Sequence, residues 1–121
     1  MDYSKINLKD KLEKFSGYWT PRIVSPFNNY HIKLVKVKGE FVWHEHTETD
    51  ELFLVLDGIL EIHFRDGKVK LNNGDMFIVP KGLEHRPIAE NECHLLLIEP
   101  AGTINTGKIL DALTAQDDIW I

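Results

Sequence analysis

The chain has 121 residues, 43% of them hydrophobic and 27% charged, the balance of an ordinary single globular domain. A net charge of −5, with 19 acidic against 14 scattered basic residues, excludes a basic nucleic-acid interface and an anionic membrane surface as the main partner. No apolar run approaches the roughly 20 residues that span a bilayer, the N-terminus lacks the apolar stretch of a secretory signal, and Cys93, the one cysteine, has no internal disulfide partner. The expected location is cytoplasmic.

In chain order, residues 1–29 read as an N-terminal helix and edge segment. Asn7 is a plausible N-cap, and Leu8, Leu12 and Phe15 recur at helical spacing, so a short helix is expected over Asn7–Phe15, ended by Gly17. Pro21 and Pro26 mark irregular or edge structure around Arg22 to Val24.

Residues 30–100 read as a β domain. Strands are expected at Tyr30–Val37, Glu40–His46, Glu51–Leu56, Ile59–Arg65, Lys68–Leu71, Met76–Val79, Leu83–Ile88 and Glu92–Glu99. Turn signals separate them: Asp57-Gly58, Asp66-Gly67, Asn72-Asn73-Gly74 and Pro80-Lys81-Gly82. Strands at this spacing argue an antiparallel sandwich or barrel. The alternation breaks at Leu34-Val35, where a bulge would restore it. Glu51–Leu56 is apolar on both faces and needs a second cover, from the N-terminal segment or another copy of the chain; a homodimer is expected. Residues 101–121 form a tail, with a weak helical turn or two over Lys108–Ala115.

His44, His46, Glu51 and His85 are the residues that carry chemistry. His44 and His46 are two apart, so on an extended segment they share a face. Glu51 opens the next apolar run, and His85 follows the Pro80-Lys81-Gly82 corner. Three imidazoles and one carboxylate suit a divalent transition metal, Mn, Fe, Co, Ni or Zn. Taken singly, each would more simply be a scattered polar residue; the set and its spacing argue for metal. No separate organic cofactor site is expected. His94 is a weaker candidate: if the face it shares with Leu96 and Ile98 points inward, it could act beside the metal or as an acid/base. Phe53 and Val55 lie on the Glu51 face, and Phe77 or Met76 would line the interior. Arg22 and Tyr30 could reach the pocket mouth. His63, His31, Glu45, Glu84, Glu48 and Asp50 read as structural or solvated, Trp43 as packing, and Cys93 as a small buried hydrophobe.

This pattern resembles the cupin superfamily. The first motif reads Gly39, His44-x-His46, four residues, Glu51, six residues, Gly58; the second reads Gly74, five residues, Pro80-x-Gly82, two residues, His85. Fifteen residues separate them. Gly39 stands one residue closer to His44 than is usual, and Ala89 replaces an Asn often found four residues after the last His. The surrounding stretch looks like the small single-domain cupins labelled mannose-6-phosphate-isomerase-like. The resemblance implies an all-β, antiparallel jelly-roll barrel with the metal inside one mouth. Gly58 and Gly74 fall where the turns need positive φ.

Four ligands on an octahedral ion leave about two positions for water or substrate. The expected function is therefore a metal-dependent enzyme, an isomerase, lyase or relative, acting on a small carbohydrate-like substrate or oxygenated acid. The alternatives are an iron-dependent dioxygenase and a non-catalytic small-molecule-binding cupin. A basic cluster for phosphate is missing from the sequence, which weighs against a sugar-phosphate isomerase.

Overall fold

The computed structural model describes residues 2–116 and 118–121. One short helix, α1 (Leu8–Leu12), precedes seven strands: β1 (Arg22–Phe27), β2 (Tyr30–Glu40), β3 (Glu51–Asp57), β4 (Leu60–Phe64), β5 (Gly67–Leu71), β6 (Met76–Val79) and β7 (Arg86–Pro100). Every strand pairing is antiparallel.

β7 is the spine. Its second half lies between β2 and β3, so that Leu96 faces Leu34 on one side and Leu54 on the other. Its first half pairs with β4, where Pro87 faces Ile62, and with the end of β2, where Ile88 faces Glu40. The order β1-β2-β7-β3-β6 makes one wall, and β4 with β5 hangs from the first half of β7. One long strand thus serves both walls of a jelly-roll, and the hydrogen-bonded sheet is not closed into a full barrel.

The core sits between the walls. Val35 and Val37 of β2, Phe53 and Val55 of β3, Leu60 and Ile62 of β4, and Cys93, Leu95 and Leu97 of β7 are buried together. Within β4 burial alternates with period 2: Leu60 and Ile62 are buried and Glu61 and His63 are only partly covered. Gly58 adopts φ +106° and Gly74 φ +84° at the turns. A Cβ on Gly58 would stand 3.0 Å from the Cys93 Cα, so that turn needs both the backbone freedom and the missing side chain.

Several expected elements differ. The helix stops at Leu12; Asn7 does cap it, its Oδ1 accepting from the Asp10 N–H at 2.9 Å. Leu34 and Val35 are both buried without a bulge between them, because Phe15 and Val24, with Leu8 and Leu12 beside them, cover the outer face at Leu34 while Val35 faces the core. Glu40–His46 is no strand: after Glu40 it runs extended beside Gly82–Pro87, joined by single contacts. Leu83–Ile88 and Glu92–Glu99 contribute to one strand. The polar Glu90 to Glu92 segment between them lies where the register shifts, between the Val37–Cys93 and Gly39–Ala89 pairs. Lys108–Ala115 holds turns and no helix. There the Thr106 hydroxyl donates to the Ile109 carbonyl and the Thr114 Oγ1 accepts from the Asp111 N–H, claiming groups a helix would use.

Candidate metal centre

Main-chain hydrogen bonds bring the ligands together before any side chain acts. The His44 N–H donates to the His85 carbonyl at 3.0 Å, and the His85 N–H returns the bond to His44 at 2.9 Å. Residues paired this way lie directly opposite, so their side chains stand side by side; the two ring centroids are 4.3 Å apart. The Gly82 N–H donates to the His46 carbonyl at 2.8 Å, and the Lys81 N–H donates to Asp50 Oδ1 at 2.9 Å, fixing the Pro80–Gly82 corner to the turn before Glu51.

His44, His46, Glu51 and His85 are all buried, and one ligating atom from each lies within 4.8 Å of the others. This group could hold a metal ion. The orientation of the rings fits that use. The Nδ1–H of His44 donates to the Val42 carbonyl at 2.9 Å and that of His85 to the Leu83 carbonyl at 2.8 Å, which turns each Nε2 lone pair toward the cluster. His46 Nε2, His85 Nε2 and Glu51 Oε1 are buried and have no hydrogen-bond partner. His46 Nε2 and His85 Nε2 lie 3.3 and 3.4 Å from the Glu51 oxygens without hydrogen-bond alignment. Buried polar atoms left unpaired are costly. Atoms aimed at one shared point are what a cation would satisfy.

Electrostatics agree. Burial, then the neighbouring His85, lowers the His44 pKa from 6.5 to about 4, so its ring is neutral at pH 7 and free to ligate. Burial opposes charge on Glu51, but the His46 and His85 imidazoles outweigh it and hold its carboxyl well below the usual range. Behind Glu51, Glu99 is buried against Lys33. Burial and the Glu51 charge push the Glu99 carboxyl well above its ordinary value, with Lys33 opposing.

Beside His44 and Glu51 opens a small cavity of about 40 Å³, open to solvent on one side. Trp19, Phe41 and Phe53 form its aromatic wall, and Asn105 reaches it from the tail. Trp19 and Phe41 are stacked with centroids 4.6 Å apart. Trp19 holds φ +65°, costly for an aromatic residue. Its N–H donates to the Lys36 carbonyl, its Nε1–H to the Lys38 carbonyl, and its own carbonyl accepts from Asn105 Nδ2, which together hold the strained backbone.

The structure places the remaining candidates away from the metal ligands. In β7 the inward residues are Cys93, Leu95, Leu97 and Glu99, so the face shared by His94, Leu96 and Ile98 points outward. His94 Nε2 lies 2.6 Å from Glu92 Oε2 beside α1, in a groove with Leu8 and Leu12, and the condition for its role is not met. Phe77 packs against the core and Met76 is exposed. Arg22 lies over the Phe15 ring and Tyr30 is on the outer surface, so neither lines the cavity. The Arg65 and Arg86 guanidinium groups lie 3.9 and 5.1 Å from the Trp43 ring centroid. Cys93 is fully buried, and burial raises its thiol pKa to about 12. Sequence reasoning missed Trp19, Phe41, Asn105, Lys33 and Glu99. Only Glu99 carried a signal, its place on the alternation with Leu95 and Leu97.

Comparison with known proteins defines the class. The cupin domain family matches residues 32–99, and the chain belongs to that family. A cupin-2 domain protein from Shewanella frigidimarina NCIMB 400 shares 52% identity and a TM-score of 0.78, over 78% of this chain and 93% of that one. Protein NMB1881 from Neisseria meningitidis shares 37% identity and a TM-score of 0.74, over 80% and 99%. The uncharacterized protein YdbB of Bacillus subtilis (strain 168) is 38% identical over 80 residues, and the match spans 65% of each chain. These likenesses establish the cupin family and do not distinguish the mannose-6-phosphate-isomerase-like group within it. Among the described residues no helix is long and apolar enough to cross a membrane.

Proposed function

We propose that this cupin is a metal-dependent enzyme whose substrate reaches a divalent transition metal held by His44, His46, Glu51 and His85. The observation that carries the reading is the convergence of unpaired, buried ligating atoms at one side of an accessible cavity. When bound, such an ion supplies a Lewis acid and about two open coordination positions. The chain's own part is to keep His44 neutral, to orient His44 and His85 through the Val42 and Leu83 carbonyls, and to exclude water with the Trp19–Phe41 wall. Elemental analysis of protein purified without added metal tests the reading. Near-stoichiometric metal that disappears in His46→Ala supports it; no metal in either protein sinks it.

The isomerase or lyase and the iron-dependent dioxygenase differ in what they ask of the side chains. Among the described residues lining the cavity, the titratable groups are the ligands His44 and Glu51. Isomerisation through proton transfer needs a positioned acid or base beyond the ligands; a redox-active ion does not. This favours the dioxygenase reading. Oxygen uptake by the iron-loaded protein, absent from the zinc-loaded protein, is the result expected from it. A binder without catalysis would show ligand affinity and no turnover with any metal.

A further inference from the structure

The wall of the cavity carries almost no free hydrogen-bonding capacity. We propose that the site takes a small substrate with an oxygen-donor head for the metal and an apolar body, aliphatic or aromatic, and that it rejects polyols of the same size. This deepens the metal-dependent reading above and rests on it.

The polar groups around the cavity are already occupied. Asn105 Nδ2 donates to the Trp19 and Leu113 carbonyls at 3.0 and 2.9 Å, and its Oδ1 accepts from the Ala115 N–H at 2.9 Å. The Trp19 indole N–H is spent on the Lys38 carbonyl at 3.0 Å, and His44 Nδ1 on Val42. What stays unpaired there is the ligating atoms of His46, Glu51 and His85, which face the metal position, and Glu99 Oε2, which lies behind Glu51 and does not line the cavity. The rest of the wall is carbon: Val35, Val37, Pro87, Leu95 and Leu97 beside the three rings.

A sugar-like body placed there would surrender its hydrogen bonds to water and gain none. Each buried hydroxyl left unpaired costs roughly tenfold or more in affinity. An alkyl or aryl body loses nothing polar and gains burial against the stacked Trp19 and Phe41. Charge points the same way. Lys33, the buried cation near the site, is committed to Glu99 at 2.9 Å and to the Thr103 carbonyl, and so is not offered to a phosphate. The small carbohydrate-like substrate expected from the sequence therefore fits this wall poorly, while an oxygenated acid fits if its body is apolar.

Two acids of equal heavy-atom count and identical head group isolate the body: glycerate and 2-hydroxybutyrate. Their binding to zinc-loaded protein is measured by calorimetry, with zinc content determined on the same sample. The expected result is that 2-hydroxybutyrate binds roughly tenfold or more tightly than glycerate. Val37→Thr, which puts a hydroxyl into the wall at nearly unchanged volume, is expected to narrow that ratio several-fold with zinc content unchanged. Equal affinities, a preference for glycerate, binding of neither acid to zinc-replete protein, or a Val37→Thr ratio equal to the wild type each overturn the proposal and leave the metal centre standing. A protein that takes up no zinc is a separate result: it removes the metal centre, and the substrate proposal with it.

Discussion

Lys33 and Glu99 meet inside the fold, the ammonium 2.9 Å from a carboxylate oxygen, with side chains only 2% and 1% exposed. Lys33 lies opposite Leu97 on the paired strands, and Glu99 is two residues further along the same face. Removing Glu99 strands the Lys33 ammonium in the interior. Glu99→Leu is expected to cost about 3–5 kcal/mol in urea unfolding, and Glu99→Leu with Lys33→Met to recover most of the loss. Equal stability of the single and double variants would show that the pair carries no such coupling.

Metal should stabilise the native chain alone, because the unfolded chain has no assembled site. At a free zinc concentration near 100 times the dissociation constant, the gain is about 2.7 kcal/mol. A thermal melt should rise with zinc and fall back with a chelator. In His85→Ala the response should vanish, since that residue supplies one of the four ligating atoms.

The His44 ring sets a pH dependence in the metal-free protein. Its pKa is 6.5 unfolded and about 4 folded, so between these values the unfolded state binds more protons. The contribution is therefore complete above pH 6.5 and lost as pH falls through 4, amounting to about 3 kcal/mol. Urea titrations of metal-free wild type and His44→Gln at pH 7 and pH 4.5 isolate it: the variant should lose less stability on acidification. Identical losses would refute the assignment.

Gly107 holds the tail against the ligand segment. It sits at φ +65°, and a Cβ there would collide with the Glu45 carbonyl, one residue from each histidine of the His44-x-His46 pair. Gly107→Ala is expected to destabilise by more than about 1 kcal/mol and to weaken metal binding. Calorimetric melting together with zinc titration checks both effects.

The outer face of β6, with Leu52 and Leu54 of β3, stays apolar and partly exposed, while Leu56 further along β3 is covered by the segment around α1. Met76 and Ile78 are 57% and 46% exposed, and they lie opposite Leu54 and Leu52. β6 ends the sheet, and its Met76-Phe77-Ile78-Val79 sequence carries no charge or proline to block pairing. We propose that a second copy of the chain covers this face about a two-fold axis. Sedimentation at micromolar concentration should show a dimer, and Ile78→Lys a monomer with its metal retained. A wild-type monomer would end the proposal.

The ligand set was readable because its logic is local. His44 and His46 need only an extended segment to share a face, and Pro80-Lys81-Gly82 needs only to bend the chain before His85. The cavity wall was not readable, because Trp19 and Asn105 stand 86 residues apart and meet only through long-range packing. The outward turn of His94 was hidden for another reason. Both faces of β7 are apolar, Leu95 and Leu97 on one and Leu96 and Ile98 on the other, so alternation marks two sets without saying which faces the core. At Leu34-Val35 the same ambiguity suggested a bulge where the chain is simply covered on both sides.

The reciprocal bonds between the His44 and His85 main chains have a consequence for how such a protein can diversify. Two of the ligands are aligned by peptide groups, which any side chain leaves in place. The surface that meets a substrate body comes largely from elsewhere, from Trp19 ahead of the sheet, Phe41 and Phe53 within the domain, and Asn105 behind it. Selection can therefore rewrite what the pocket accepts one residue at a time while the reactive centre keeps its shape.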